Sequence, residues 1–228
     1  MNAVRNYQKE LDKLLLKLPE GKAPRLFLHS CCAPCSSYVL EYLSRYFSIT
    51  VFYFNPNISL ETEYRKRVEE QKRLIETYNR EIERDVKEEG ERKRYPISIV
   101  EGDYEPECFY QIAKGLEQCP EGGERCFACY RLRLEETAKL AIAGAYDFFA
   151  TTLTISPLKN AVKLNEIGEE LAQIYDVAWL PSDFKKKNGY KRSIELSQEY
   201  NLYRQDFCGC IYSKMERERQ KQAAEEHI

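Results

Sequence analysis

The sequence predicts an α/β fold: a Rossmann-like, doubly wound and mostly parallel sheet of five strands. Three observations carry this prediction. Short apolar runs alternate with longer amphipathic segments, turn residues separate them, and no internal repeat occurs in the 228 residues. Such alternation is typical of parallel sheets, whose strands are connected through helices. A chain of this length can bury one core, so we expect a single domain over residues 1–228.

The first half of the chain begins with a helix and a βαβ unit. Apolar residues at helical spacing predict an N-terminal helix within residues 1–20. Residues 26–29 and 49–54 are apolar runs of strand length, and the helical pattern of residues 36–46 lies between them. A long charged segment at 60–89 follows, predicted as one helix or two with a solvated face.

The second half of the chain continues the alternation. Strands three to five are predicted at 97–100, 147–150 and 177–180, with helices between them. Residues 181–228 are expected to add extra helices and to complete the site. In such sheets ligands bind where the strand order reverses, so an order of 3-2-1-4-5 would place the site between strands one and four. Cys31 and Cys32 follow strand one and would lie there.

Composition excludes several classes of protein. No apolar run approaches a membrane span and the N-terminus lacks a signal-peptide pattern, so we expect a cytoplasmic protein with no membrane partner. Thiols stay reduced in the cytoplasm, so nine cysteines indicate metal binding or redox chemistry rather than a disulfide scaffold. A net charge of -2 does not indicate a nucleic-acid binder, so any polyanion must meet a local basic patch.

Seven of the nine cysteines form three tight clusters. The clusters are Cys31-Cys32-x-x-Cys35, Cys126-x-x-Cys129 and Cys208-x-Cys210. Cys126 and Cys129 are placed at a helix start, where the helix dipole should lower their pKa values, and Gly209 should allow the tight fold that brings its neighbours together. A tetrahedral zinc or a cubane iron–sulfur cluster uses four protein ligands. The three remaining cysteines predict a second metal, a redox disulfide or a catalytic role.

The spacing of the cysteines does not determine which metal they bind. A structural zinc site would show two matched CxxC pairs, whereas seven thiols with only two histidines suit iron–sulfur ligation. Cys32-Ala33-Pro34-Cys35 also fits a redox dithiol, which leaves the other clusters unexplained. Cys108 and Cys119 are interpreted as ordinary cysteines. The alternative function is a zinc-stabilised RNA-binding module without catalysis.

Five sequence blocks resemble the QueH-type epoxyqueuosine reductases. They are HSCCAPCS at 29–36, YFNPNI at 53–58, CFACYRLR at 126–133, FATTLTISPLK at 149–159 and YNLYRQDFCGCIYS at 200–213. The resemblance implies a fold like the adenine-nucleotide alpha-hydrolase group, a 4Fe-4S cluster with an adjacent mononuclear iron, and reduction of epoxyqueuosine in tRNA to queuosine, the last step of queuosine biosynthesis. The ATP-pyrophosphatase branch of that fold carries a glycine-rich SGGxDS loop where SCCAPC stands here, so ATP is not an expected partner.

Removing an epoxide oxygen to leave an alkene consumes two electrons and two protons. We expect the cluster to pass electrons from an external donor, and the adjacent iron to bind the epoxide oxygen. Because adjacent side chains rarely point at one metal atom, Cys31 and Cys32 are assigned to different centres. The spacing does not determine which four cysteines hold the cluster; the favoured ligands are Cys32, Cys126, Cys129 and Cys210. The catalytic set at the second iron is Cys31, Cys35 and Cys208, with Asp206 as an oxygen ligand.

The tRNA is expected to be held through its phosphates. The densest basic cluster consists of Lys185, Lys186, Lys187, Lys191 and Arg192. Tyr190 offers a stacking surface within it. A solvated loop is the alternative interpretation. Arg131 and Arg133 either face the site or cover their helix.

Overall fold

The computed structural model describes residues 5–19, 21–90 and 94–225. Its centre is a sheet of five parallel strands in the order β3-β2-β1-β4-β5. The strands are β1 (Arg25–His29), β2 (Ser48–Tyr53), β3 (Ile97–Glu101), β4 (Phe148–Thr151) and β5 (Ala178–Trp179). The predicted fold class is confirmed, and the strand order is the one that places the reversal between β1 and β4.

Eight α-helices surround this sheet in the described part of the chain. They are α1 (Tyr7–Leu15), α2 (Ala33–Leu43), α3 (Glu61–Glu89), α4 (Pro106–Ala113), α5 (Glu124–Ala143), α6 (Ala161–Tyr175), α7 (Gly189–Glu199) and α8 (Ile211–Glu225). Of the predicted N-terminal helix, residues 1–4 and 20 lie outside the described residues. Within the described ranges, no helix combines the length and the apolar character that crossing a membrane requires.

The long charged segment is one helix of 29 residues. No proline or glycine interrupts it before Gly90, which ends α3 in the left-handed conformation at φ 73°. The predicted solvated face does not include every polar residue of α3, because Arg67 and Gln71 are buried. They continue a stripe of buried apolar side chains that includes Tyr64 and Val68.

The central strand β1 packs on both faces, which explains its unbroken apolar run. Leu26 and Leu28 belong to the core cluster that includes α1 and α2 side chains. Phe27 points to the opposite cluster, where its ring stacks on Phe52 with centroids 5.1 Å apart. Burial of both faces is expected of a central parallel strand, and it fixes the carboxyl end of β1 in the interior.

The carboxyl ends of β1, β2 and β4 are tied together by buried polar contacts. His29 Nδ1 lies 2.9 Å from Thr151 Oγ1, and its Nε2 lies 3.1 Å from the Phe54 carbonyl oxygen. Asn55 Nδ2 donates to the Ser30 carbonyl at 2.8 Å. Burial lowers the pKa of His29 to about 3, so its ring is neutral and serves to join strands. These contacts hold the loops that carry the first cysteine cluster.

Candidate metal centre

The first cysteine cluster lies in the turn from β1 into α2. Cys32 precedes the first residue of α2 with extended backbone, and Cys35 belongs to the first helical turn. The three sulfurs of Cys31, Cys32 and Cys35 lie within 4.8 Å of one another, and the Sγ atoms of Cys31 and Cys32 are 3.8 Å apart. The sulfurs of these two adjacent residues are therefore close together, although adjacent side chains rarely point at one metal atom.

The second cluster lies at the start of α5, as the sequence predicted. Cys126 and Cys129 are separated by about one helical turn, and the Gly122 N–H donates to Cys126 Sγ at 3.2 Å. Cys129 packs against Phe109 and Cys210. The expectation of a lowered pKa is wrong for Cys129, because burial raises the pKa of this thiol and outweighs the lowering by the nearby Arg133 guanidinium.

The third cluster depends on Gly209, as its position between two cysteines indicated. Gly209 has φ 108°, and a Cβ atom there would meet Ile58 Cγ1 at 2.8 Å. The Ser59 N–H donates to the Gly209 carbonyl at 3.1 Å. This fold of the backbone places the sulfurs of Cys208 and Cys210 3.5 Å apart.

All seven clustered thiols line one cavity. The cavity walls come from the ends of β1 and β4, the start of α5 and the segment before α8. Four of the seven are buried and three are half-buried, and all are free thiols. Cys108 and Cys119 do not line it. Seven soft donors in one partly enclosed space fit soft metal cations, and their number exceeds the four ligands that a single zinc ion or cubane cluster requires.

Hydrogen bonds between the thiols make them unequal. Cys32 accepts from Cys31 and Cys35, which lowers its pKa well below the usual cysteine value, whereas the hydrogen bond to Cys32 raises the pKa of Cys31 to about 11. The hydrogen bond with Cys210 lowers the pKa of Cys208 well below the usual cysteine value. The first and third clusters therefore each contain one thiol that ionises first, which is the form that binds metals.

Six cationic side chains line the same cavity, among them Arg67, Lys159 and Arg133. Arg67 is 2% exposed, and its Nε donates to Glu63 at 2.7 Å. Lys159 is 10% exposed, and its Nζ lies 2.8 Å from Glu121. Arg133 is 4% exposed. The sequence did not single out Arg67 or Lys159, although the apolar stripe of α3 that includes Tyr64 and Val68 was a signal for the burial of Arg67.

Other predicted site residues lie at or beyond the rim. Asp206 lines the cavity, but its side chain is 65% exposed and its carboxylate lies 2.9 Å from Lys221 Nζ. The hydrogen bond from Lys221 lowers the pKa of Asp206, so the carboxylate is ionised. Arg131 covers the outer helix face and pairs with Glu170. Arg133 instead lines the cavity.

The predicted basic cluster lies outside the cavity, and three of its members have acidic partners. Lys185 Nζ is 2.5 Å from Asp183, Lys187 Nζ is 2.7 Å from Asp12, and Arg192 Nη2 is 2.7 Å from Glu41. No ion pair is found for Lys186 or Lys191 in the described part of the chain. Tyr190, predicted as a stacking surface, lines the cavity.

Comparisons with known proteins agree with the sequence blocks. The family model "Epoxyqueuosine reductase QueH" matches residues 26–216. Among curated proteins named epoxyqueuosine reductase QueH, the one from Staphylococcus epidermidis is 43% identical over 92% of this chain and 85% of its own length. That from Streptococcus pyogenes is 41% identical over 85% of this chain and 72% of its own, and that from Thermotoga maritima is 31% identical over 87% and 94%. The chain belongs to the epoxyqueuosine reductase QueH family.

Proposed function

We propose that this protein reduces epoxyqueuosine in tRNA to queuosine, with electrons delivered by an external donor through an iron–sulfur centre. Membership of the QueH family supports the reaction. Seven free thiols line one cavity, and this observation supports the proposal that the protein binds a metal centre. It disfavours the zinc-stabilised RNA-binding module, which would need only four of them. Free thiols also agree with a cytoplasmic location.

The seven thiols would hold a 4Fe-4S cluster and an adjacent mononuclear iron. When bound, these centres supply single electrons and a Lewis acid. The assignment from the sequence gives Cys32, Cys126, Cys129 and Cys210 to the cluster and Cys31, Cys35 and Cys208 to the second iron. The structure also supports a second partition, in which Cys31, Cys32 and Cys35 bind one ion together. Thiolates on one tetrahedral ion lie about 3.8 Å apart, which matches the separation of the Cys31 and Cys32 sulfurs.

The chain's own side chains supply charge and protons around this centre. Although burial opposes its charge, Cys208 and Glu121 raise the pKa of Lys159 above its usual value, so it holds a proton at Nζ. Burial raises the pKa of Tyr130 to about 12, and its hydroxyl has no hydrogen-bond partner among the described residues. Both groups line the cavity. We propose that they provide the two protons that leave with the epoxide oxygen as water.

The test of this proposal is anaerobic purification, iron and sulfide reconstitution, and turnover of epoxyqueuosine-containing tRNA with a chemical reductant. We expect a brown protein with about four or five iron atoms per chain and conversion of epoxyqueuosine to queuosine, measured by mass spectrometry of the digested tRNA. A colourless protein that contains one zinc ion and converts no substrate would contradict the proposal.

The basic cluster gives a separate prediction about tRNA binding. Replacing Lys185, Lys186 and Lys187 with alanine should weaken binding and reduce its salt dependence, with no change in iron content. Because Lys185 and Lys187 already have acidic partners, we expect the slope of log K against log salt to fall by only about 0.7, the value for one phosphate contact of a single strand. An unchanged slope would place the tRNA contact elsewhere.

A further inference from the structure

Arg133 is a buried cation with only neutral hydrogen-bond acceptors. It lies in α5, one turn after Cys129, and is 4% exposed. Its Nε donates to the Cys129 carbonyl at 3.2 Å, and its Nη1 donates to Asn55 Oδ1 at 3.4 Å. In residues 5–19, 21–90 and 94–225, no ion pair forms between this guanidinium and a carboxylate. An unpaired buried charge is costly, so a negative partner of another kind is needed.

The thiols of the same cavity can supply that negative charge. Arg133 lines this cavity together with all seven clustered thiols, which come from all three cysteine clusters. Other cations of the cavity differ, because Arg67 is paired with Glu63 and Lys159 with Glu121. Arg125 is also buried and lines the cavity, but its guanidinium donates to three backbone carbonyls. Arg133 has a single backbone acceptor and one amide oxygen, so its charge is left for the sulfurs.

We propose that Arg133 is the fixed counter-charge of the thiol-bound centre and raises its reduction potential, an inference that rests on the proposed iron–sulfur function. Each electron that enters the centre adds negative charge close to the guanidinium. The reduced form therefore gains more from a fixed cation than the oxidised form does, most strongly where water is excluded. Without Arg133, a stronger external donor would be needed.

Asn55 holds this arginine in place. Asn55 is 1% exposed, and it accepts from Arg133 while its Nδ2 donates to the Ser30 carbonyl, one residue before Cys31. The same side chain thus connects the end of β1, the end of β2 and helix α5. An aspartate at this position would place a carboxylate against the guanidinium and cancel its charge without removing it.

The experiment is a potentiometric titration of the reconstituted protein, followed by electron paramagnetic resonance and without substrate. For Arg133→Gln we expect the equilibrium constant for one-electron reduction to fall about tenfold, a shift of about 59 mV to lower potential. Arg133→Lys should retain most of the wild-type potential because it keeps the charge. Thr137→Val is the matched control, since Thr137 is buried one turn further along α5 and donates to the Arg133 carbonyl at 2.7 Å without carrying charge.

A wild-type potential in Arg133→Gln with full iron content would overturn the inference. If that variant does not take up iron, Asn55→Asp decides, because it should lower the potential with Arg133 still present, and an unchanged potential would overturn the inference. A shifted potential in a protein that converts no epoxyqueuosine would overturn only the proposed function. A wild-type protein that binds no cluster would overturn both.

Discussion

Alanine at Cys126 or Cys129 should abolish the visible absorption of the proposed iron–sulfur centre while the protein stays folded. Either change removes a thiol that we assign to the cluster, and a cubane cluster with three protein ligands is far less stable. Helix α5 should survive, because it is anchored by its own buried stripe of Leu134, Ala138 and Ala141. Absorption spectra would measure the chromophore, iron counts the metal content, and circular dichroism the folded state.

The chain offers a matched control for this experiment. Cys108 and Cys119 are half-buried free thiols that do not line the cavity. Their replacement with alanine should leave both the iron content and the spectrum unchanged. Iron content equal to that of the unsubstituted protein in both Cys126→Ala and Cys129→Ala would contradict the assignment of these residues to the cluster.

Alanine at Cys31 or Cys208 should leave the cluster spectrum largely intact and yet abolish turnover. The four thiols assigned to the cluster remain, whereas the proposed second iron would lose a ligand. A Lewis acid contributes several kcal/mol to such a reaction, so single-turnover conversion of epoxyqueuosine should fall by at least about a hundredfold. The assay uses chemically reduced protein and substrate tRNA, with iron counted in the same samples.

Two outcomes of this assay have different meanings. Full turnover by both variants would contradict the two-metal mechanism, whereas loss of the cluster would contradict only the partition of ligands. Cys32→Ala separates the two partitions directly. It should remove the cluster if Cys32 is a cluster ligand, and it should spare the cluster if Cys31, Cys32 and Cys35 share one ion.

Local signals were sufficient to predict the five-stranded, mostly parallel sheet and the meeting of the three cysteine clusters. Apolar runs of strand length and helical patterns between them determine the sheet, and parallel strands bring their carboxyl ends to one edge. Gly209 was equally predictable, because a tight CxC turn requires a residue without a side chain. These features depend on neighbours in the sequence or on the topology that those neighbours impose.

Features that depend on remote packing could not be predicted in this way. The charge pattern of α3 suggested a solvated face, but the segment around Cys208 covers Arg67, whose Nη1 donates to the Cys208 carbonyl at 3.3 Å. Two of the acidic partners of the basic cluster, Asp12 and Glu41, are far away in the chain. Burial likewise decided the pKa of Cys129, and spacing alone contains no measure of burial.

The three cysteine clusters come from distant parts of one chain, so a shared metal centre would also act as a cross-link. Near the site, the Cys208 segment is held by modest contacts, such as the 3.3 Å hydrogen bond from Asn57 Nδ2 to the Cys208 carbonyl. Metal binding favours the folded state only, so losing the metal removes that stabilisation. Oxidative damage to the centre should thus loosen this segment and expose it to proteases. The inactivated protein would therefore be degraded faster than the intact protein.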